Sequence, residues 1–230
     1  MNIKISITYF IFMIAPFFLG CQGNVKKESN NNASADSVSW RYGVNENPVY
    51  EYTDANGKHL TIQNGLPRGE KYTHPKGDEY FKVIFWTRII NETDNPLELK
   101  INFPVDSYEI PYLPGKYYKI LVPPDTMTVD EEPLYNYGLR DLKSFLDSSI
   151  HKASSLERTI NPKESSGFYI VILAQPTEGV PGGILRTGLS LQGQNLFYRI
   201  SRYASTPAHT LIHTKEIYCG SINVNLIPLK

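Results

Sequence analysis

The segment PLELKINF, residues 96–103, sets Leu97, Leu99, Ile101 and Phe103 at every second position, with Glu98, Lys100 and Asn102 between them. Successive side chains of a strand point to opposite faces, whereas an apolar helix face recurs every three or four residues. The alternation therefore dictates a half-buried β-strand. Just upstream, YFKVIFWTRII sets Phe81, Val83, Phe85 and Ile89 against Lys82, Ile84, Trp86 and Arg88. The intervening NETDNP, residues 91–96, is rich in turn formers, so the pair predicts an antiparallel hairpin.

Further strands are expected at 59–63, 117–122, 168–174, 185–191, 196–201 and 221–226. The run FYIVILA, 168–174, is apolar at every position and so belongs in the centre of a sheet covered on both sides. Sixteen glycines and sixteen prolines, some as pairs such as Pro123-Pro124, punctuate these short runs. That pattern favours a sandwich or barrel. One segment departs from it: in GLRDLKSFLDSSI, Leu139, Leu142, Leu146 and Ile150 recur at helical spacing, beside Phe145. A helix of about three turns over an edge or end of the sheets is expected there, stopped by Asn161-Pro162. With no internal repeat and no second linker, residues 40–230 read as a single domain. The hairpin with its asparagine-rich turn, the long excursion and then INPKESSGFYIVI are similar to immunoglobulin-like accessory domains of envelope proteins. The resemblance implies a mainly β chain, a single immunoglobulin-like antiparallel β-sandwich with one short helical insertion.

The amino terminus carries a different signal. Lys4 is followed by uncharged, mostly apolar residues to Gly20, too short a run to span a bilayer and interrupted by Pro16. Charged start, apolar centre and small residue at the end are the marks of a signal peptide, here residues 1–20. Phe18-Leu19-Gly20-Cys21 resembles the lipobox of bacterial lipoproteins, with Phe18 where that family usually has Leu. The resemblance implies acylation of the Cys21 thiol, cleavage before it, and no information about the rest of the chain. An ordinary signal peptide cut elsewhere and an uncleaved segment with a buried cysteine are the competing readings. Residues 21–39, with Asn30, Asn31, Asn32, Ser34, Asp36 and Ser37, have the composition of a flexible tether. Two or three acyl chains hold a protein on a membrane without help from charge. Gln22, in place of an Asp that retains some lipoproteins at the inner membrane, favours the outer one.

Basic and acidic side chains balance at 23 each, which gives no reason to expect nucleic acid as a partner. If Cys21 carries lipid, Cys219, the second of two cysteines, has no partner within the chain. It is then expected to be a small buried apolar residue.

Candidate chemistry is sparse. His209 and His213 of HTLIH, with Glu216 nearby, fall short of a zinc pattern, and His59, His74 and His151 are scattered, so no metal and no cofactor are expected. Asp125, Asp130, Glu131 and Glu132 lack calcium-loop spacing and read as a solvated loop. Nucleophile elbows, phosphate loops and dinucleotide fingerprints are missing. Asn91-Glu92-Thr93 is formally a glycosylation sequon and is read as part of the hairpin turn. Tyrosine stands out, with six in one stretch: Tyr108, Tyr112, Tyr117, Tyr118, Tyr135 and Tyr137. Interleaved with prolines they form a candidate binding surface for glycans or proteins, although tyrosine is also favoured on strands. The expected function is that of a lipid-anchored protein of the bacterial cell envelope, at the outer membrane, with a non-catalytic interaction or scaffolding domain and another envelope protein as partner. The alternatives are a carbohydrate- or small-ligand-binding module using the tyrosine surface, and a hydrolase with a dispersed site.

Overall fold

The apolar run within Ser165–Ala174 requires cover on both faces, and the chain supplies it from two sources: a second sheet and a helix. A computed structural model describes residues 47–53, 57–106, 108–111, 113–176 and 183–223. The signal segment, the tether with Cys21, and Tyr112 lie outside the described residues. By its contacts the chain divides into Met1–Asn32 and Ala33–Lys230, and every described residue belongs to the second unit.

The elements are β1 (Val49–Thr53), β2 (His59–Asn64), β3 (Arg68–Thr73), β4 (Glu79–Asn91), β5 (Leu97–Phe103), β6 (Tyr108–Glu109), β7 (Tyr117–Leu121), β8 (Thr126–Met127), α1 (Leu142–Ser149), β9 (Ser154–Ile160), β10 (Ser165–Ala174), β11 (Gly183–Gln192), β12 (Asn195–Ala204) and β13 (Leu211–Ile222). One sheet has the order β1-β2-β4-β10-β7-β6, with β3 also on β4 and β8 also on β10; the other has the order β11-β12-β13-β5-β9. All pairings are antiparallel. The chain is thus mainly β, two antiparallel sheets packed as a sandwich with one short helix.

Alternation decides which residues meet between the sheets. Val83, Phe85 and Ile89 of β4 and Phe168, Ile170 and Ile172 of β10 face Leu97, Leu99, Ile101 and Phe103 of β5 in one core. The opposite parity of β4 and β10, Ile84, Trp86, Tyr169, Val171 and Leu173, forms a second core with Leu139, Leu142, Leu146 and Ile150. Each buried aliphatic side chain from the helical segment stabilises the fold by about 2 kcal/mol relative to exposure.

Several expectations need correction. β4 and β5 are not a hairpin: β4 pairs with β2, β3 and β10, and β5 with β9 and β13. Because both faces of β4 are apolar, it sits centrally in one sheet, and the 91–96 segment carries the chain across to the other. The Asn91 carboxamide shapes this crossing. It donates to the carbonyls of Asn95, Ile160 and Asn161 and accepts from the Thr93 amide and hydroxyl. The helix covers a sheet face rather than an edge or end, and it is shorter than expected, because Asn136, Tyr137 and Asp141 adopt left-handed backbone and bar a helix before Leu142. Asn161-Pro162 does not stop it, since β9 intervenes. β13 begins at Leu211, ten residues before the expected strand start.

Polar side chains close both long seams of the sandwich. On one side the Asn64 amide of β2 donates to the Leu189 carbonyl and its oxygen accepts from the Leu189 amide, while Leu191 N–H donates to the Tyr52 hydroxyl. On the other, the Ser154 hydroxyl of β9 accepts from the Val122 amide and donates to its carbonyl, and Arg158 donates to the carbonyls of Gly167 and Asp125. Edge strands otherwise present unpaired backbone groups. Here the edges β11 and β9 are each tied to the opposite sheet.

Candidate functional site

β10 ends at Ala174, which lies opposite Phe81 in the register with β4. Phe81 has the parity of Val83 and Phe85 and so faces the inter-sheet side, yet it is 48 % exposed where those two are buried. The sheets part at this end, and a cleft of about 570 Å³ opens between them. Volumes of roughly 300–1,000 Å³ are typical of small-molecule sites.

The lining is assembled from both sheets. Pro67, Gly69, Phe81 and Val83 come from β3, β4 and the approach to them; Ile110, Leu113 and Tyr118 come from the β6–β7 region. Ala174 to Pro176 at the end of β10, and Gly183 to Leu185 at the start of β11, complete the walls, with Arg202 of β12 at the rim. Gly69 is dictated by the ring of Phe81: a Cβ there would lie 2.9 Å from two of its carbons. The absence of a side chain at Gly69 leaves room for the ring. Behind Arg202, across the strand pair, lies His213, held below the ordinary imidazole value by burial and then by the charge of Arg202.

Among the described residues, the candidate tyrosines do not form one surface. Tyr108 is fully buried between the sheets, its hydroxyl donating to the carbonyls of Ile200 and Lys215. Burial holds its pKa far above the ordinary phenol value. Tyr118 is buried beside it, the rings tilted with centroids 5.5 Å apart, and it lines the floor of the cleft. Tyr137 lies in the helix-side core, edge-on to Trp86 and under the Arg68 guanidinium. Tyr117 and Tyr135 are exposed, but Tyr117 is on β7 and Tyr135 is in a 3-10 turn that reaches Glu70 of β3. Strand alternation sends Tyr117 and Tyr118 to opposite faces of β7, so these neighbours in sequence do not share a surface. Tyr135 is in any case engaged, donating to Glu70 at 2.6 Å.

Of the other candidates, His74 and His151 meet edge-on with centroids 5.9 Å apart, and His209 lies in the turn before β13. Among the described residues no group of three or more His, Cys, Asp or Glu side chains could hold a metal ion. Glu131 serves locally, accepting from the Thr128 amide and hydroxyl, and that backbone hydrogen bond first lowers its pKa. Asp125 and Asp130 are exposed. Cys219 is buried, as expected of a free thiol, and desolvation pushes its pKa up to about 12. No helix among the described residues is long and apolar enough to cross a membrane.

Phe81, Leu113, Ile184, Leu185 and Arg202 escaped sequence reasoning. Phe81 was visible as an inward residue, but nothing local reveals that the opposite sheet diverges before reaching it. Comparison with family models, with curated proteins and with solved structures finds no match to this chain.

Proposed function

We propose that this chain is a non-catalytic binding protein of the bacterial cell envelope, anchored at the outer membrane by acyl groups on Cys21, whose sandwich domain takes up a small apolar ligand. The observation that carries ligand binding is Phe81: an aromatic ring on the core side of a central strand, left half-exposed in a concave apolar cleft. Covering the exposed half of such a ring gains about 1 kcal/mol, and contiguous exposed apolar surface marks a place where something binds. The anchor is supported by the sequence Phe18-Leu19-Gly20-Cys21 and the polar segment after it. A concave site suits a small molecule better than a flat protein partner.

Organic extraction of the full chain purified from membranes, followed by mass spectrometry, tests the binding. A small apolar compound is expected with the wild-type chain and not with Ala174→Trp, whose indole fills the cleft. Equal recovery from both chains, or none from either, overturns the reading.

A further inference from the structure

Two residues whose identities are each imposed by packing stand side by side at the end of β2. The Asn64 carboxamide nitrogen donates to the carbonyls of Pro48 and Leu189 at 3.3 Å each, and its oxygen accepts from the Leu189 amide at 2.8 Å and the Thr87 hydroxyl at 3.0 Å. Gly65 is required by Trp86, since a Cβ there would lie 2.4 Å from the indole nitrogen. The seam demands asparagine and the indole demands glycine. Together they make Asn-Gly, the pair in which a backbone amide most readily attacks the preceding carboxamide, because no side chain shields the nitrogen and the glycine backbone turns freely.

In the closed sandwich neither partner is available. The Gly65 N–H donates to the Trp86 carbonyl at 2.8 Å, and Asn64 is buried with both ends of its carboxamide held. An open chain has neither restraint. There the Gly65 nitrogen, its proton lost to solvent hydroxide, bonds to Asn64 Cγ, and the Cγ–Nδ2 bond breaks to release ammonia. Water then opens the cyclic imide at either carbonyl, leaving a carboxylate at position 64 on a normal backbone or on one lengthened by a methylene. Neither product rebuilds the seam. A carboxylate has no hydrogen to give to the Pro48 and Leu189 carbonyls, and a lengthened backbone breaks the register in which Asn64 opposes Thr87 of β4.

We propose that Asn64 is a fold-gated deamidation site, silent while β2 and β11 are joined and, once converted in an open chain, a bar to their rejoining. The test holds the full chain at pH 8 in buffer and in guanidinium chloride, with peptides mapped by mass spectrometry over time. Asn56-Gly57, the other Asn-Gly pair of the sequence, marks the intrinsic rate in denaturant. Asn64 is expected to convert as fast as Asn56 there, and at least about a hundredfold more slowly in buffer. Equal conversion of Asn64 in buffer and in denaturant overturns the gating. After partial conversion the denaturant is diluted and native chains are separated from the rest by size exclusion. The acid at position 64 is expected only in the non-native fraction; its presence in native chains in the starting proportion overturns the bar to closure. Asn64→Asp checks the cause, because a protonated carboxyl donates and accepts as the carboxamide does. Its denaturation midpoint is expected to approach that of the wild-type chain at acid pH and to fall below it at pH 8. A deficit equal at both, or none at either, overturns the charged seam as the obstacle.

Discussion

The carboxamide of Asn64, on β2 of one sheet, hydrogen-bonds both backbone groups of Leu189, on the edge strand β11 of the other: the Leu189 amide donates to its oxygen at 2.8 Å, and its nitrogen donates to the Leu189 carbonyl at 3.3 Å. A side chain thus occupies the place that a neighbouring strand would take. The same oxygen also accepts from Thr87, so a single buried amide serves both sheets. Ser154 and Val122 repeat the device on the opposite seam.

Asn64→Leu fits the space and cannot satisfy the amide or carbonyl it abandons. A loss of about 3 kcal/mol is expected, since each buried unsatisfied group costs about 1–3 kcal/mol. Ser154→Ala, which abandons the Val122 groups, is expected to cost about 2 kcal/mol. Urea unfolding of the three chains measures both, and an Asn64→Leu chain as stable as wild type would show that the seam contributes nothing.

Gly220 sits at a bulge in β13, with φ of +148° and Lys100 carbonyl oxygen only 1.9 Å from where a Cβ would be. Gly220→Ala is expected to cost about 4 kcal/mol or more, because backbone rather than a flexible side chain must move. Gly193, in the β11–β12 turn at φ +62°, has open space around it. Gly193→Ala therefore meets only conformational strain, about 1 kcal/mol. Thermal unfolding of both variants checks the contrast.

Glu70 accepts from Lys82, Tyr135 and Asn136, and these, Lys82 first, lower its pKa from 4.5 to about 2. Between those values the unfolded chain binds a proton that the folded chain does not. Stability from this group is therefore full above pH 4.5 and is lost as pH falls toward 2. Solvent exposure of the carboxylate keeps the effect modest. Urea midpoints between pH 5 and pH 2.5 are expected to fall less steeply in Glu70→Gln than in wild type; parallel curves would refute the assignment.

Because desolvation raises the Cys219 pKa to about 12 and the side chain is buried, iodoacetamide at pH 8 is expected to leave it unmodified in the native chain. In denaturant it is expected to be fully alkylated. Peptide mapping reports each thiol separately, and native-state modification would contradict the buried assignment.

Anchoring makes its own prediction. Cys21→Ala is expected to abolish incorporation of labelled fatty acid and to leave unprocessed precursor in a gel-shift assay. A normally processed Cys21→Ala chain would reject lipidation.

What the sequence disclosed and what it concealed follow from the range of the forces involved. Alternation over 97–103 and the continuous apolar run of 168–174 placed β5 and β10 correctly, because each strand's own residues decide whether its faces meet water. The hairpin expectation failed because Asn91 to Pro96 look alike in a turn and in a crossing. The choice was made by Ile84 and Trp86, whose face had to be covered by a helix more than fifty residues later. β9 and the start of β13 were hidden because Arg158, His213 and Lys215 occupy inward positions, where polar groups find partners on distant strands. The cleft was concealed for the same reason: it is the divergence of two sheets, and no single segment encodes it.

Asn91 and Thr93 are fully buried in the crossing between the sheets, and that has a consequence for how the protein can be produced. In a eukaryotic secretory host, an oligosaccharide transferred to Asn91 while the chain is still extended would occupy the position the carboxamide needs at the crossing. Glycan attachment and closure of the sandwich are mutually exclusive outcomes for the nascent chain, so bacterial or cell-free synthesis is the compatible route to native protein.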